Sequence, residues 1–562
     1  DVATRPDSTE NKSTEDRSTE DKVSGYSLRQ YIGLVLGPLV FVGLLLTPSP
    51  ATLDPTGWYV AGVALLMAIW WITEALPIAA TAMVPVVLFP PLGIGSISEA
   101  TAPYANPLIF LFLGGFLIAI GMQRWNLHRR IALRIVSWVG SSPRALLGGF
   151  MAACAFLSMW ISNTATAMMM LPIGISIIEL SRSAGPISAL RMFADAKFTR
   201  AMGPNATGPN SVSQVLVPQQ VLQRVSQNLP ASTTVSPNSH MFATALMLSI
   251  AYACNIGGIG TLIGTPPNAL LAGFMNESYG IDIGFAQWMV VGVPIVLVGL
   301  PLAYVLLTRV LFQVDAEPVA GSGDMVKLKL EELGPLTHPE RLVGIVFGGA
   351  AALWMTRPLL ETWVPGLTDA GIAMAGGLLL FILPVDWRAG QFVLTWKDVE
   401  GMPWGVLLLF GGGLSLASAI TRTGLATWIG ESLSIVGGLP IMLVVLIVTI
   451  TIISLTEITS NTATAAAFLP IMAAVAIGIG ENPFLLAVPV ALAGSAAFML
   501  PVATPPNAIV FGSGNVSIPQ MARAGIYLNL FFVFIITVAS YLLLPLVFGV
   551  ELGVMPGWAG IP

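Results

Sequence analysis

The sequence predicts an all-α membrane protein whose two halves each carry interrupted helices. Three observations carry this reading. Only 9% of the 562 residues are charged and 55% are hydrophobic, whereas a soluble surface is about 25–35% charged. Apolar runs near the roughly 20 residues that span a bilayer follow one another from Tyr31 onward. Two polar motifs recur in the same order in both halves. The ~10-residue alternation of a β-barrel is absent from the sequence. The composition excludes a soluble enzyme, and a net charge of −5 gives nothing to a nucleic acid. Cys154 and Cys254 lie in apolar runs, and His128, His240 and His338 are far apart. A disulfide framework, a Cys or His metal site and a nucleophile–base pair are therefore not expected.

In chain order, residues 1–25 read as a disordered polar tail. Ser8-Thr9-Glu10 recurs there as Ser13-Thr14-Glu15 and Ser18-Thr19-Glu20, with no apolar face to bury. No apolar core of a signal peptide follows it. Spans are expected near 31–47, 57–75, 107–122, 146–161, 241–263, 287–312, 342–357, 370–384, 404–420, 438–456, 484–500 and 525–548. Short and interrupted runs leave the number of passes at about 10 to 13. Basic residues gather at Arg124–Arg144, at Arg182–Arg200 and at Lys327–Arg341, which the positive-inside rule assigns to the cytoplasm. Stretches 128–139 and 188–200 read as helices lying along the interface. The first half is expected over 26–313 with a polar insertion at 203–240. A connecting loop at 314–341 leads to the second half, 342–562.

The duplication is the most informative feature. Ser162-Asn163-Thr164-Ala165-Thr166-Ala167, followed by Leu171-Pro172-Ile173, recurs 298 residues later as Ser460-Asn461-Thr462-Ala463-Thr464-Ala465, followed by Leu469-Pro470-Ile471. Thr265-Pro266-Pro267-Asn268 recurs as Thr504-Pro505-Pro506-Asn507, and Gly114-Gly115 as Gly411-Gly412. Repeated polar residues in apolar surroundings mark function. Matching broken helices in two halves point to a transporter that binds its cargo between the repeats.

The residue types suggest which cargo. Ser158, Ser162 and Asn163 lie at i, i+4 and i+5, and Thr456, Ser460 and Asn461 repeat the set. A helix that breaks there frees backbone carbonyls. The carbonyls of Gly264 and Ala503 precede each Thr-Pro-Pro and can complete two neutral oxygen cages. Such cages suit a small monovalent cation and lack the carboxylates of Ca²⁺ or Mg²⁺ sites. Neither motif contains Lys or Arg. Asn163, Thr164 and Thr265 from one half and Asn461, Thr462 and Thr504 from the other can still hold an anion through hydroxyls, amides and helix N-termini. A dianion there needs the bound cations to compensate its charge, although a neutral or zwitterionic substrate fits the same residues. Glu74 and Glu457 lie in apolar runs and are functional suspects, with a structural hydrogen bond or a membrane-edge position as the alternative, and neither is counted as a ligand.

Together with Ile72–Pro77, Leu111–Gly115 and Phe498–Gly514, these motifs resemble the divalent anion/sodium symporter family of dicarboxylate and citrate carriers. The resemblance runs from about residue 28 to 550. It implies about 11 transmembrane helices plus two re-entrant hairpins, an inverted repeat, a homodimer and elevator movement. It places sodium on Ser158, Ser162, Asn163 and Gly264, and on Thr456, Ser460, Asn461 and Ala503. It places substrate on Asn163, Thr164, Thr265 and Pro266, and on Asn461, Thr462, Thr504 and Pro505. The cargo it implies is a C4-dicarboxylate taken up with Na⁺ across the cytoplasmic membrane. A sodium-independent dicarboxylate exchanger and a sodium-coupled citrate carrier are the alternatives. No room remains for the soluble inserts of sulfate-type relatives.

Overall fold

The computed structural model describes residues 26–182, 237–314, 322–432 and 438–559. The tail 1–25, the interfacial stretch expected at 188–200 and the insertion up to residue 236 lie outside the described residues. Helix Pro237–Gly258 already begins inside the expected insertion.

Among the described residues, ten helices are long and apolar enough to cross a membrane and five shorter apolar ones accompany them. Four of these fifteen build two hairpins. In the first, Pro143–Ser158 turns at 159–162 into Asn163–Arg182. In the second, Ile441–Thr456 turns at 457–460 into Asn461–Gly478. Only the first arms, 146–161 and 438–456, were expected from apolar runs. The return arms open with Ser-Asn-Thr-Ala-Thr and carry Pro172 and Pro470, which hide them from a hydropathy reading. Ser162 and Ser460 start these arms, their hydroxyls accepting from the Ala165 and Ala463 amides at 3.3 and 3.5 Å.

The Thr-Pro-Pro-Asn motifs end two unwound stretches. Helix Pro237–Gly258 stops, and the chain resumes as Pro266–Tyr279. The span expected at 484–500 is broken likewise: Phe484–Ala493 stops, and Pro505–Gly512 follows. Each proline pair opens the resumed helix, where a missing N–H costs nothing and φ is already helical. Helices Phe285–Val305 and Ile518–Phe548 then follow in the two halves. Both halves therefore run glycine-pair helix, hairpin, broken helix, closing helix.

Within each half the hairpin packs on its own broken helix, and the halves also interlock. Pro505–Gly512 packs on Asn163–Arg182, and Pro266–Tyr279 packs on Asn461–Gly478. Between apolar helices in lipid, small residues set how closely backbones approach. Gly257 is one such contact, where an added Cβ would stand 2.3 Å from the Ala155 carbonyl oxygen.

The basic clusters at 124–144 and 327–341 come together at one end. Arg130 donates to the Glu340 carboxylate at 3.0 Å and to the Gly334 carbonyl at 2.8 Å, and Arg144 donates to the Val314 carbonyl at 2.7 Å. The expected connecting loop 314–341 contains a helix, Ser322–Glu332. The amphipathic stretch 128–139 is the helix Leu127–Val139, with Ala132, Leu133 and Val136 buried and Arg134 and Trp138 exposed. Glu74 lies at the end of helix Pro55–Thr73 in a left-handed cap. It pairs with Arg29 at 2.9 Å, with both side chains nearly half exposed, so it stands at a surface and contributes nothing to an interior site.

Candidate functional site

The first centre lies where the first hairpin turns beside the first broken helix. The buried Ser158 hydroxyl donates to Asn163 Oδ1. An added Cβ at Gly258 would stand 2.8 Å from Asn163 Oδ1 and 3.1 Å from the Gly264 carbonyl oxygen. Ser158, Asn163, Gly258 and Gly264 are thus neighbours, and the absence of a side chain at 258 makes room for the Asn163 amide. Thr261 donates to the Met159 carbonyl at 2.5 Å and accepts from the Gly264 amide at 3.1 Å, which fixes the Gly264 peptide against the hairpin tip. Asn268, fully buried, donates to the carbonyls of Gly258, Ile259 and Thr261 at 3.2, 3.3 and 2.8 Å. This amide does for the unwound chain what helical hydrogen bonds do elsewhere. Ser162 is exposed and Thr164 half-buried.

The second centre repeats the plan with different fastenings. The buried Thr456 hydroxyl donates to the Ile452 and Ile453 carbonyls at 3.1 and 3.0 Å, which leaves its oxygen lone pairs free. Asn461 Oδ1 is buried with no hydrogen-bond partner. Ala503 is buried, with its amide on the Leu500 carbonyl at 3.1 Å. Asn507 donates to the Leu500 carbonyl at 3.0 Å, the counterpart of Asn268. Glu457 accepts from the Phe498, Met499 and Leu500 amides at 2.8, 3.0 and 3.0 Å and from Asn529 Nδ2 at 2.7 Å. This suspected acid is therefore the clamp of the second unwound stretch. Met159 stands at its place in the first half, where Thr261 does the fastening. Thr459 and Thr464 share a hydrogen bond at 2.7 Å. Their counterparts are Ile161 and Thr166, and the Thr166 hydroxyl is left without a partner.

The two broken helices also touch directly. Asn255 Nδ2 donates to Thr504 Oγ1 at 3.0 Å, and the Ser495 hydroxyl donates to Thr265 Oγ1 at 3.3 Å. Thr265 and Thr504 are each 4% exposed, Pro266 and Thr462 are half-buried and Pro505 is exposed. Sequence reasoning assigned no role to Asn255, Thr261 or Ser495. It quoted Asn268 and Asn507 within a motif but gave them no task.

Hard, neutral oxygens are what this arrangement offers. Asn461 Oδ1 is a buried neutral oxygen without a partner, of the kind a small monovalent cation takes. A duplicated broken-helix site inside a bundle of apolar helices defines a multi-pass membrane transporter rather than an enzyme. The chain belongs to the family described as the sodium:sulfate symporter transmembrane region, whose model matches residues 28–549. This is the divalent anion/sodium symporter family that the motifs resemble. The chain is 42% identical over 530 residues to the sodium-dependent dicarboxylate transporter SdcS of Staphylococcus saprophyticus, covering 94% of this chain and 93% of that one. It is 42% identical over 535 residues to SdcS of Staphylococcus aureus, covering 94% of each. The Alcanivorax borkumensis YdaH transporter structure aligns over 93% of this chain and 97% of that one, at a TM-score of 0.49 and 14% identity, a likeness too slight to build on.

Proposed function

We propose that the protein carries C4-dicarboxylates such as succinate, malate or fumarate into the cell together with Na⁺. Relatives named sodium-dependent dicarboxylate transporters, 42% identical over 94% of the chain, support the cargo class. The observation that carries the ion reading is the matched pair of neutral oxygen sets, one with the orphaned Asn461 Oδ1. One Na⁺ is held by Ser158, Ser162, Asn163 and Gly264. The other is held by Thr456, Ser460, Asn461 and Ala503. The dicarboxylate lies between Asn163, Thr164, Thr265 and Pro266 on one side and Asn461, Thr462, Thr504 and Pro505 on the other.

The coupling has a physical reason. None of these residues carries a positive charge, and a dianion in a low-dielectric site is strongly destabilised without counter-charge. Bound Na⁺ supplies that charge. Asn163 and Asn461 belong to both sets, so an ion and a carboxylate are neighbours and each raises the affinity of the other. The halves 26–313 and 342–562 share this site, and a transport domain carries it past a scaffold domain across the cell membrane by an elevator step, within a homodimer. Removal of the tail 1–25 should leave transport intact.

Asn163→Ala and Asn461→Ala test the assignment separately. Each removes an amide that serves ion and substrate together. Uptake of labelled succinate should fall by at least about a hundredfold, the loss of two charge-assisted contacts, with the size-exclusion profile unchanged. Near-wild-type uptake in both variants would refute the assigned site.

A further inference from the structure

We infer that Asn255, outside every motif of the repeat, positions Thr504 as a hydroxyl that donates to the substrate carboxylate. The inference rests on the dicarboxylate reading and names how that site selects an anion. Thr504 Oγ1 accepts twice, from the Asn507 amide at 3.3 Å and from Asn255 Nδ2 at 3.0 Å. A hydroxyl oxygen has two lone pairs and one proton. Both acceptor positions are filled, so the group has only its O–H left to offer. Among the described residues no acceptor faces that proton. A carboxylate oxygen of the substrate would supply the missing acceptor.

The orientation of the Asn255 amide is fixed by its surroundings. Nδ2 lies 3.0 Å from Thr504 Oγ1 and 3.4 Å from both the Ala497 carbonyl and Asn507 Oδ1. Three oxygens around one atom demand a donor there. An oxygen in that place would meet the Ala497 and Asn507 oxygens with no proton between them. Asn255 is 1% exposed, which keeps water from taking over its task. The related bond from Ser495 to Thr265 does not set polarity in this way. Ser495 also reaches the Ala491 carbonyl at 3.5 Å, so its proton is not committed. The site is thus polarised from one side, by a residue of the first half acting on a threonine of the second.

The test uses the full-length protein in proteoliposomes, reading the succinate KM and the Na⁺ half-saturation separately for wild type, Asn255→Ala, Thr504→Val and the double variant. Asn255→Ala frees the Thr504 hydroxyl to turn, and the succinate KM should rise about ten- to hundredfold. At saturating succinate the Na⁺ half-saturation should stay within about twofold. The double variant should be no worse than Thr504→Val alone, since the two residues act as one unit. Asn255→Asp keeps the shape and replaces the donor by an acceptor, so it should raise KM at least as much with an unchanged elution profile. A wild-type KM in Asn255→Ala, equal shifts for succinate and Na⁺, or additive effects in the double variant would overturn the positioning role. No succinate uptake by the wild type would instead overturn the dicarboxylate reading on which it rests.

Discussion

Glu457→Ala is expected to abolish folded transporter, and the reason is a count of donors. The carboxylate, 5% exposed, receives the amides of Phe498, Met499 and Leu500 and the side chain of Asn529. The amides belong to an unwound stretch that has no helical partners of its own. Removing the acceptor leaves buried donors unsatisfied, at about 1–3 kcal/mol each. The sum rivals the whole margin of about 5–15 kcal/mol that keeps a domain folded. Detergent-extracted Glu457→Ala should lose its monodisperse elution peak or melt at least about 10 °C lower. Glu457→Gln keeps the shape and one acceptor oxygen. It should fold and transport with weakened Na⁺ dependence, because the stretch leading to Ala503 and Thr504 loses one of its two acceptor oxygens. Wild-type melting of Glu457→Ala would mean the clamp is not needed.

The second large effect comes from a methyl group. Gly257→Ala would place a Cβ 2.3 Å from the Ala155 carbonyl oxygen and 2.5 Å from its Cα. These are backbone atoms inside two packed helices, so neither can yield alone. The first hairpin arm must shift away from helix Pro237–Gly258. That shift separates Ser158 and Asn163 from Gly258 and Gly264, the two sides of the first proposed ion site. Na⁺ half-saturation should rise at least about tenfold, since a misplacement of ~1 Å disables a site of fixed ligands. Gly348→Ala is the control: nothing lies within 4 Å of its added Cβ, and alanine favours a helix interior over glycine. It should leave transport unchanged and melting equal or slightly higher. Equal transport in both variants would show that the hairpin and broken helix need not meet closely.

Much of this architecture was legible before any coordinates, for a definite reason. Ser-Asn-Thr and Thr-Pro-Pro-Asn are polar words in an apolar text, and their recurrence at matched places marks the breaks without help from packing. The spans with uninterrupted apolar runs, such as Trp404–Arg422, were equally plain. The return arms were not, because their polar openings and internal prolines mimic loops. The region 78–105 was missed as well. Pro85, Pro90, Pro91 and Pro103 cut it into short helices, Ile78–Thr81, Val84–Leu88 and Ile97–Thr101, each too brief to show a period.

The site residues divide along the same line. Ser158, Asn163, Thr456 and Asn461 stand out by repetition. Asn255 and Thr261 have no such signal, since their value lies in what the fold brings opposite them from 249 and 102 residues away. Glu74 and Glu457 look alike in sequence, each following a threonine in an apolar run. One meets Arg29 at the surface and the other meets a ring of buried amides. Only tertiary structure separates them.

The central claim is that two neutral oxygen cages make dicarboxylate transport depend on Na⁺. Its most direct test is uptake of labelled succinate into proteoliposomes under an inward Na⁺ gradient, against K⁺ or choline. The account predicts concentrative uptake with Na⁺ alone and none with either substitute. Uptake that ignores Na⁺ and requires internal succinate would contradict it, and would make the protein an exchanger whose oxygen cages hold no driving ion.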